Sequence, residues 1–210
     1  SQTCPYLKLP QSFGQLGYEV STKLLKNLRW AEKQLMIKMG AVFSVNDEQS
    51  SIEEKIDTLF KLHKTRFSHK ENNVSSFAGD RIKKFHLAVA ESFDKAGRLR
   101  FYSIKIGNET IACLYAFRYK DRVFYYQTGY NPEFGKYSVG TVVLSFAIKS
   151  AIEEGASEFH FLRGEEPYKV RWTKEKKLTK RLCVLKKDIP GSLFFTLLRA
   201  RYALSAFKNQ

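Results

Sequence analysis

The sequence predicts an α/β protein of the α+β kind, in which mainly antiparallel strands are flanked by helices. Two observations carry this. Three strand-like runs, residues 98–106, 110–119 and 122–129, are joined by turns at Gly107-Asn108 and Lys120-Asp121, too short for anything but antiparallel pairing. The third run then breaks at Y-N-P-E-F-G-K-Y-S-V-G and opens a long apolar helix pattern over 141–154.

The other elements follow in chain order. The first seventeen residues are turn-rich. Residues 18–39 read as a helix, because Leu24, Leu28, Ala31 and Leu35 recur at helical spacing while Lys26, Arg29 and Lys33 form a basic stripe on another face. Gly40 ends it. A short strand over 41–45 precedes a helix capped by Ser50 or Ser51, with Glu53 and Glu54 in its first turn and Ile52, Ile56, Leu59 and Phe60 on its apolar face. That helix ends near L-H-K-T-R-F, residues 62–67. A polar stretch leads to a helix over 77–95, closed by Gly97. After the three strands and the apolar helix come a strand over 157–163, a polar loop over 164–172 and a strand over 177–187. Pro190 opens a final apolar helix, 192–207, carrying two Arg and one Lys; it packs on a core or lies at a membrane interface.

Composition narrows the function classes. With 43% hydrophobic residues, 17 Phe and 11 Tyr in 210 residues, the chain is globular and not disordered. Lys plus Arg is 36 against 21 Asp plus Glu, a net charge of +15, which favours an anionic partner: a nucleotide, a nucleic acid, a polyanionic glycan or an acidic membrane surface. The cysteines, Cys4, Cys113 and Cys183, have neither metal-ligand spacing nor the pattern of a disulfide framework, and they suit a reducing cytoplasm. His69, His86 and His160 have no partners at ligand spacing, so no metal is expected. No run has membrane-spanning length and no secretory signal opens the chain. The chain starts at Ser1, not Met, and is expected to be the later part of a longer protein.

Two segments carry chemistry. A strand that breaks into a turn and then starts a helix makes an anion site, since the first helical N–H groups lack internal partners and the helix dipole points its positive end at the turn. Gly140, without a Cβ, is expected to let a phosphate approach the backbone. The second segment, G-E-E-P-Y-K-V-R-W, packs Glu165, Glu166, Tyr168, Lys169 and Arg171 into nine residues after a buried strand and is expected to face a cleft. Otherwise the loop is structural, with both carboxylates paired to Arg163 and Arg171.

L-H-K-T-R-F, G-K-Y-S-V-G and above all F-L-R-G-E-E-P-Y-K-V-R-W, together with the element order, resemble acyltransferases of the GNAT superfamily (Gcn5-related N-acetyltransferases). More narrowly, the chain is similar to the CelD/BcsL-like branch tied to cellulose and polysaccharide synthesis, itself related to Fem-type aminoacyltransferases. The resemblance implies a GNAT-like mixed, mostly antiparallel sheet over 41–188, with an N-terminal segment and helix (1–40) packed on it and an amphipathic helix (189–210) added. It implies an acyl-CoA co-substrate, acetyl-CoA in the first instance, with no metal. Amine acyl transfer of that kind needs a base and an oxyanion donor; the resemblance makes Glu165 or Glu166 the candidate base, Tyr168 the candidate acid for the departing thiolate, and Lys169, in a Y-K-V-R-W that resembles the Lys-containing element of Fem-type enzymes, the candidate oxyanion donor. Tyr126, Gln127 and Thr128 would line the groove for the pantetheine arm, and Lys136, Tyr137, Ser138, Gly140 and Thr141 would hold the pyrophosphate. The superfamily pattern of Arg or Gln, two residues, Gly, one residue, Gly or Ala falls on Gly135, Ser138 and Gly140, so two of its three positions depart here, and Lys136 is the nearest substitute for the missing charge. His63 and Arg66 match an L-H-x-x-R pattern and, with Arg163 and Arg171, are candidate acceptor contacts. The implied acceptor is a sugar or cell-envelope intermediate, in the cytoplasm or at the inner face of the membrane, and an additional lobe would precede this chain. Two further functions stay open: Fem-like aminoacyl transfer from charged tRNA, which the basic balance suits, and a non-catalytic module of the same shape that binds an anionic polymer.

Overall fold

The structure is a computed structural model that describes residues 2–18, 20–68, 77, 79–180, 182 and 195–197. Residues 2–178 form one compact unit and the residues from 179 onward cluster separately. In the latter, one helical turn at 195–197 is described; the rest of the predicted helix over 192–207, and Cys183, lie outside the described residues.

The first element corrects the sequence reading. Residues that read as turn-rich form a strand, β1 (Gln2–Lys8), whose Cys4–Leu7 stretch is buried. A 3-10 turn (Phe13–Tyr18) follows. The helix α1 (Thr22–Glu32) starts later than its apolar periodicity suggests, because the Ser21 hydroxyl accepts from the Leu24 N–H (3.3 Å) and fixes the N-terminus there. It widens into a π-turn (Lys33–Lys38), and Leu24, Leu28, Ala31 and Leu35 are all buried. After β2 (Val42–Val45), Ser51 rather than Ser50 caps α2 (Ile52–Ser68): its N–H reaches Glu54 Oε2 (2.7 Å) and the Glu54 N–H reaches its Oγ (3.1 Å), a reciprocal capping box. Gly79 (φ 96) delays the next helix, α3 (Asp80–Lys95), because that backbone conformation has no place inside a helix.

The strands β3 (Leu99–Ile106), β4 (Glu109–Tyr119) and β5 (Arg122–Tyr130) form the expected antiparallel meander. The apolar helix α4 (Val139–Glu153) crosses over to β6 (Glu158–His160), which pairs parallel to β5. A short helix, α5 (Pro167–Val170), precedes β7 (Lys176–Thr179). The seven strands run β2-β3-β4-β5-β6-β1-β7. Both faces are covered. Leu114 and Ala116 of β4 pack toward α1 and α4, while Cys113 and Tyr115 join Ile56, Leu59 and Ala90 under α2 and α3. Burial pushes the Cys113 thiol up to about 12, which makes it an inert core residue.

Candidate functional site

β5 and β6 pair only from Arg122–Phe124 to Glu158–His160. Beyond that point β5 continues to Tyr130, whereas Leu162 takes a left-handed conformation (φ 56) that turns its chain away. The parting strands leave a wedge. β5 also carries a bulge at Tyr126: Tyr115 pairs with Gln127 while Ala116 pairs with Tyr125. The extra residue resets the alternation, so Tyr125 and Thr128 share one face, and Tyr126 lies on the other, against His86, Phe77 and Phe117.

A cavity of about 230 Å³ fills the wedge. β5 supplies Tyr125, Thr128 and Tyr130, and the start of α4 supplies Ser138, Gly140 and Thr141. Tyr168, Arg171 and Trp172 come from α5 and the residues after it, and Arg66 from the last turn of α2. α2 can lie close because Gly129 has no side chain; a Cβ there would stand 2.8 Å from Leu62 Cβ and 3.0 Å from the His63 nitrogen.

At the start of α4 a 3-10 turn (Pro132–Tyr137) is capped by Asn131, which accepts from the Glu133 N–H (3.1 Å). Ser138 follows in the left-handed region (φ 52), an uncommon conformation for a residue with a Cβ. Its carbonyl accepts from the N–H groups of Thr141 (2.7 Å) and Val142 (3.1 Å), and its hydroxyl makes no capping bond. The Val139 and Gly140 N–H groups therefore precede the helical ladder, at the positive end of the helix dipole. Gly140 has a reason different from the expected one: its missing Cβ makes room for Tyr130, whose ring carbons would lie 2.9 and 3.1 Å away. Gly135 also lines the cavity, and nothing stands within 4 Å of where its Cβ would be. Lys136 and Tyr137 border the site from outside, with Lys136 Nζ 5.0 Å from the Tyr137 ring centroid.

At the closed end the Tyr125 and Tyr168 hydroxyls lie 3.2 Å apart. Burial raises the pKa of both phenols, so both are protonated in neutral water. The Arg66 guanidinium carbon lies 4.9 Å from the Tyr130 ring centroid. Gln127 turns back on its own strand, its Oε1 accepting from the Thr128 N–H (3.0 Å).

The polar loop divides. Tyr168 and Arg171 enter the cavity, whereas Arg163, Glu165 and Glu166 border a separate recess with Gln2 and Thr3. The carboxylates do not pair with Arg163 and Arg171: Glu165 pairs with Lys176, and Glu166 with Lys169 (2.8 Å). Lys169 is only 4% exposed, and its Nζ also donates to the Arg163 carbonyl (2.8 Å). The expectation of a lysine in a wet cleft gives way to a buried strut that fixes the loop, because its charge is held between the Glu166 carboxylate and the Arg163 carbonyl. His63 is buried against Phe77, with ring centroids 5.3 Å apart; burial and the neighbouring Arg66 charge hold its pKa down to about 4, so its imidazole is neutral.

Residues 22–170 match the family model described as an acetyltransferase (GNAT) domain. The chain belongs to that family. Among solved structures the GNAT domain is similar to FemX (11% identity, 80% of this chain and 55% of that one, TM-score 0.61). It is similar also to the C-terminal domain of a putative lysylphosphatidylglycerol synthetase from Agrobacterium fabrum (12% identity, 84% and 58%, TM-score 0.53) and to L-PGS from Bacillus licheniformis (13% identity, 78% and 46%, TM-score 0.50). At these identities the likeness is one of fold, and the chain spans little more than half the length of the first two. No curated protein sequence matches the chain.

GNAT acetyltransferases use an acyl-CoA, and the residues present suit one. The unladdered N–H groups before Thr141 and the side-chain-free Gly135 leave a cradle for phosphate oxygens, and Val139, Leu144 and Trp172 give the cavity an apolar lining. No cluster of metal-ligating side chains occurs among the described residues, nor is any described helix long and apolar enough to cross a membrane. Of the predicted site residues, the GNAT cavity gathers Arg66, Thr128, Ser138, Gly140, Thr141, Tyr168 and Arg171. It adds Tyr125, Tyr130 and Trp172, which sequence reasoning passed over. Tyr125 lies in the predicted strand over 122–129 and Tyr130 opens the break that follows it, and only the bulge reveals which of the strand's residues face inward.

Proposed function

We propose that this GNAT domain transfers an acyl group, acetyl in the simplest case, from a CoA thioester to an amine or hydroxyl of a sugar or cell-envelope intermediate. The observation that carries the reading is the Tyr125–Tyr168 hydroxyl pair at the closed end of a wedge whose other wall is the start of α4. A bound acyl-CoA supplies an activated carbonyl and a thiolate leaving group. Around it the chain's own groups divide the work. The α4 N-terminus and Ser138 bind phosphate. Tyr168 keeps its proton at neutral pH because of burial and holds it ready for the leaving sulfur, while Tyr125 fixes the direction of that hydroxyl. Val139, Leu144 and Trp172 exclude water. Arg66 and Arg171 attract an anionic portion of either substrate. No carboxylate lines the cavity among the described residues, so an amine acceptor that arrives neutral suits it best, losing its proton to water after attack.

A CelD/BcsL-like role in polysaccharide synthesis, in the cytoplasm or at the inner membrane face, and an additional lobe ahead of this chain go with this reading. Fem-like transfer from charged tRNA is the second reading. It is favoured by the net charge of +15 and by Gly135, which offers no side chain where the superfamily pattern carries a phosphate-binding Arg or Gln. Calorimetry separates them. Saturable binding of acetyl-CoA with a shallow salt dependence supports the first; tRNA binding that weakens steeply with salt, without CoA binding, overturns it in favour of the second.

A further inference from the structure

The surface at the mouth of the cavity carries a feature that the chemistry above does not use. α1 presents Trp30 with 53% of its surface exposed, and the indole stacks on Tyr137 (centroids 6.0 Å apart, planes at 28°). Tyr137 is the last residue of the turn before Ser138, and both Gly135 and Ser138 line the cavity. The two-ring step thus continues directly from the end of the cavity where the helix N–H groups lie. Lysines surround it. Lys26 and Lys33 stand one helical turn before and after Trp30, and Lys136 lies over the Tyr137 ring. Glu133, the acid of the same turn, is engaged with Asn131 (3.3 Å). The indole is held on Tyr137 yet half-exposed, and it stands among cations, the combination that receives a nucleobase and its phosphates.

We propose that Trp30, with Lys26, Lys33 and Lys136, seats the nucleotide end of the acyl donor, a phosphorylated adenosine whose base stacks on the half-exposed indole. This rests on the donor reading above and extends it by assigning the part of the donor that lies outside the cavity. Lys26, Lys33 and Lys136 then have a specific use, and the missing side chain at Gly135 is offset by cations one step further out.

The test is calorimetry with three probes, CoA, adenosine 3′,5′-bisphosphate and pantetheine, on the intact chain and its variants. Trp30→Ala should weaken CoA and the bisphosphate about tenfold, and Trp30→Phe, which keeps a stacking ring, should restore them. Pantetheine affinity should not change, and Lys136→Glu should weaken the bisphosphate with the fold intact. Equal CoA affinity in wild type and Trp30→Ala overturns the nucleotide seat and leaves the CoA reading standing. Bisphosphate binding that Trp30→Ala abolishes, without any CoA binding, keeps the seat and moves the donor to the terminal adenosine of a charged tRNA. Failure of all three probes on wild type overturns both.

Discussion

Tyr125 on β5 and Tyr168 on α5 share a 3.2 Å hydroxyl contact that ties the strand on one side of the wedge to the segment that follows the strand on the other. Neither phenol ionises easily, and on the proposed reading Tyr168 is the one that protonates the leaving sulfur.

Tyr168→Phe is therefore expected to leave donor affinity within a few-fold and to lower turnover by about 10²-fold, the usual scale for a positioned acid. Because burial raises both pKa values, the wild-type rate should show no alkaline limb from these tyrosines up to about pH 9, below the ordinary tyrosine value. Steady-state rates with an accepted amine, or slow thioester hydrolysis, provide the measurement. Equal turnover in the two proteins would remove Tyr168 from the chemistry.

Lys169 should behave as a structural residue. Truncating it leaves the Arg163 carbonyl and Glu166 without their partner, at a cost of about 1–3 kcal/mol, held to the lower range because Glu166 is half-exposed. Urea melts of Lys169→Ala should show that loss, with Lys169→Met losing less because the stem still packs. An unchanged melt with a collapsed turnover would return Lys169 to the catalytic role its sequence context suggested.

Two glycines on either side of Ser138 should respond oppositely. A methyl at Gly140 meets the Tyr130 ring at 2.9 Å, so even Gly140→Ala should displace Tyr130 and weaken donor binding, and Gly140→Asp would not isolate a phosphate contact. Gly135 faces open space and lines the cavity, so Gly135→Gln should fold normally. A CoA donor should then bind more tightly, by about three- to tenfold for one added hydrogen bond. Weaker CoA binding in Gly135→Gln would show that phosphate does not pass this residue.

His63 makes stability depend on pH. Its folded pKa of about 4 lies below the ordinary histidine value, so between about pH 4 and 6.5 the unfolded chain binds the extra proton. This contribution is complete above about pH 6.5 and is lost as the pH falls toward 4, by at most about 3 kcal/mol. Burial lowers the pKa of His86 and His160 as well, in the same direction. Chemical melts at pH 7 and 5 should show a smaller drop for His63→Gln than for wild type; equal drops would refute the assignment.

The meander, α2 and α4 were legible because their signals are local: two-residue turns, a capping box, an apolar helical period. β1 was not. Pro5 sits inside it, glycines follow it, and its partners lie far along the chain, so nothing nearby marks it as a strand. The site was half legible for a similar reason. Simple alternation places Tyr126 and Thr128 on one face, but the bulge separates them and pairs Thr128 with Tyr125. The composition of the polar loop was visible, yet which charges neutralise each other is decided by folding: Lys169 found Glu166 and the Arg163 carbonyl, and Glu165 found Lys176.

The slot between β6 and β7 is filled by the chain's opening strand, and Tyr6 bonds Glu175 across 169 positions. Closing so long a loop is entropically slow, so the meander with α2 and α3 should order first and wait for this closure. Until then β6 has a bare edge, which another copy's β6 or β1 could occupy instead. Deleting Gln2–Lys8 would leave that edge exposed, so removal of β1 is expected to promote self-association, as read by light scattering.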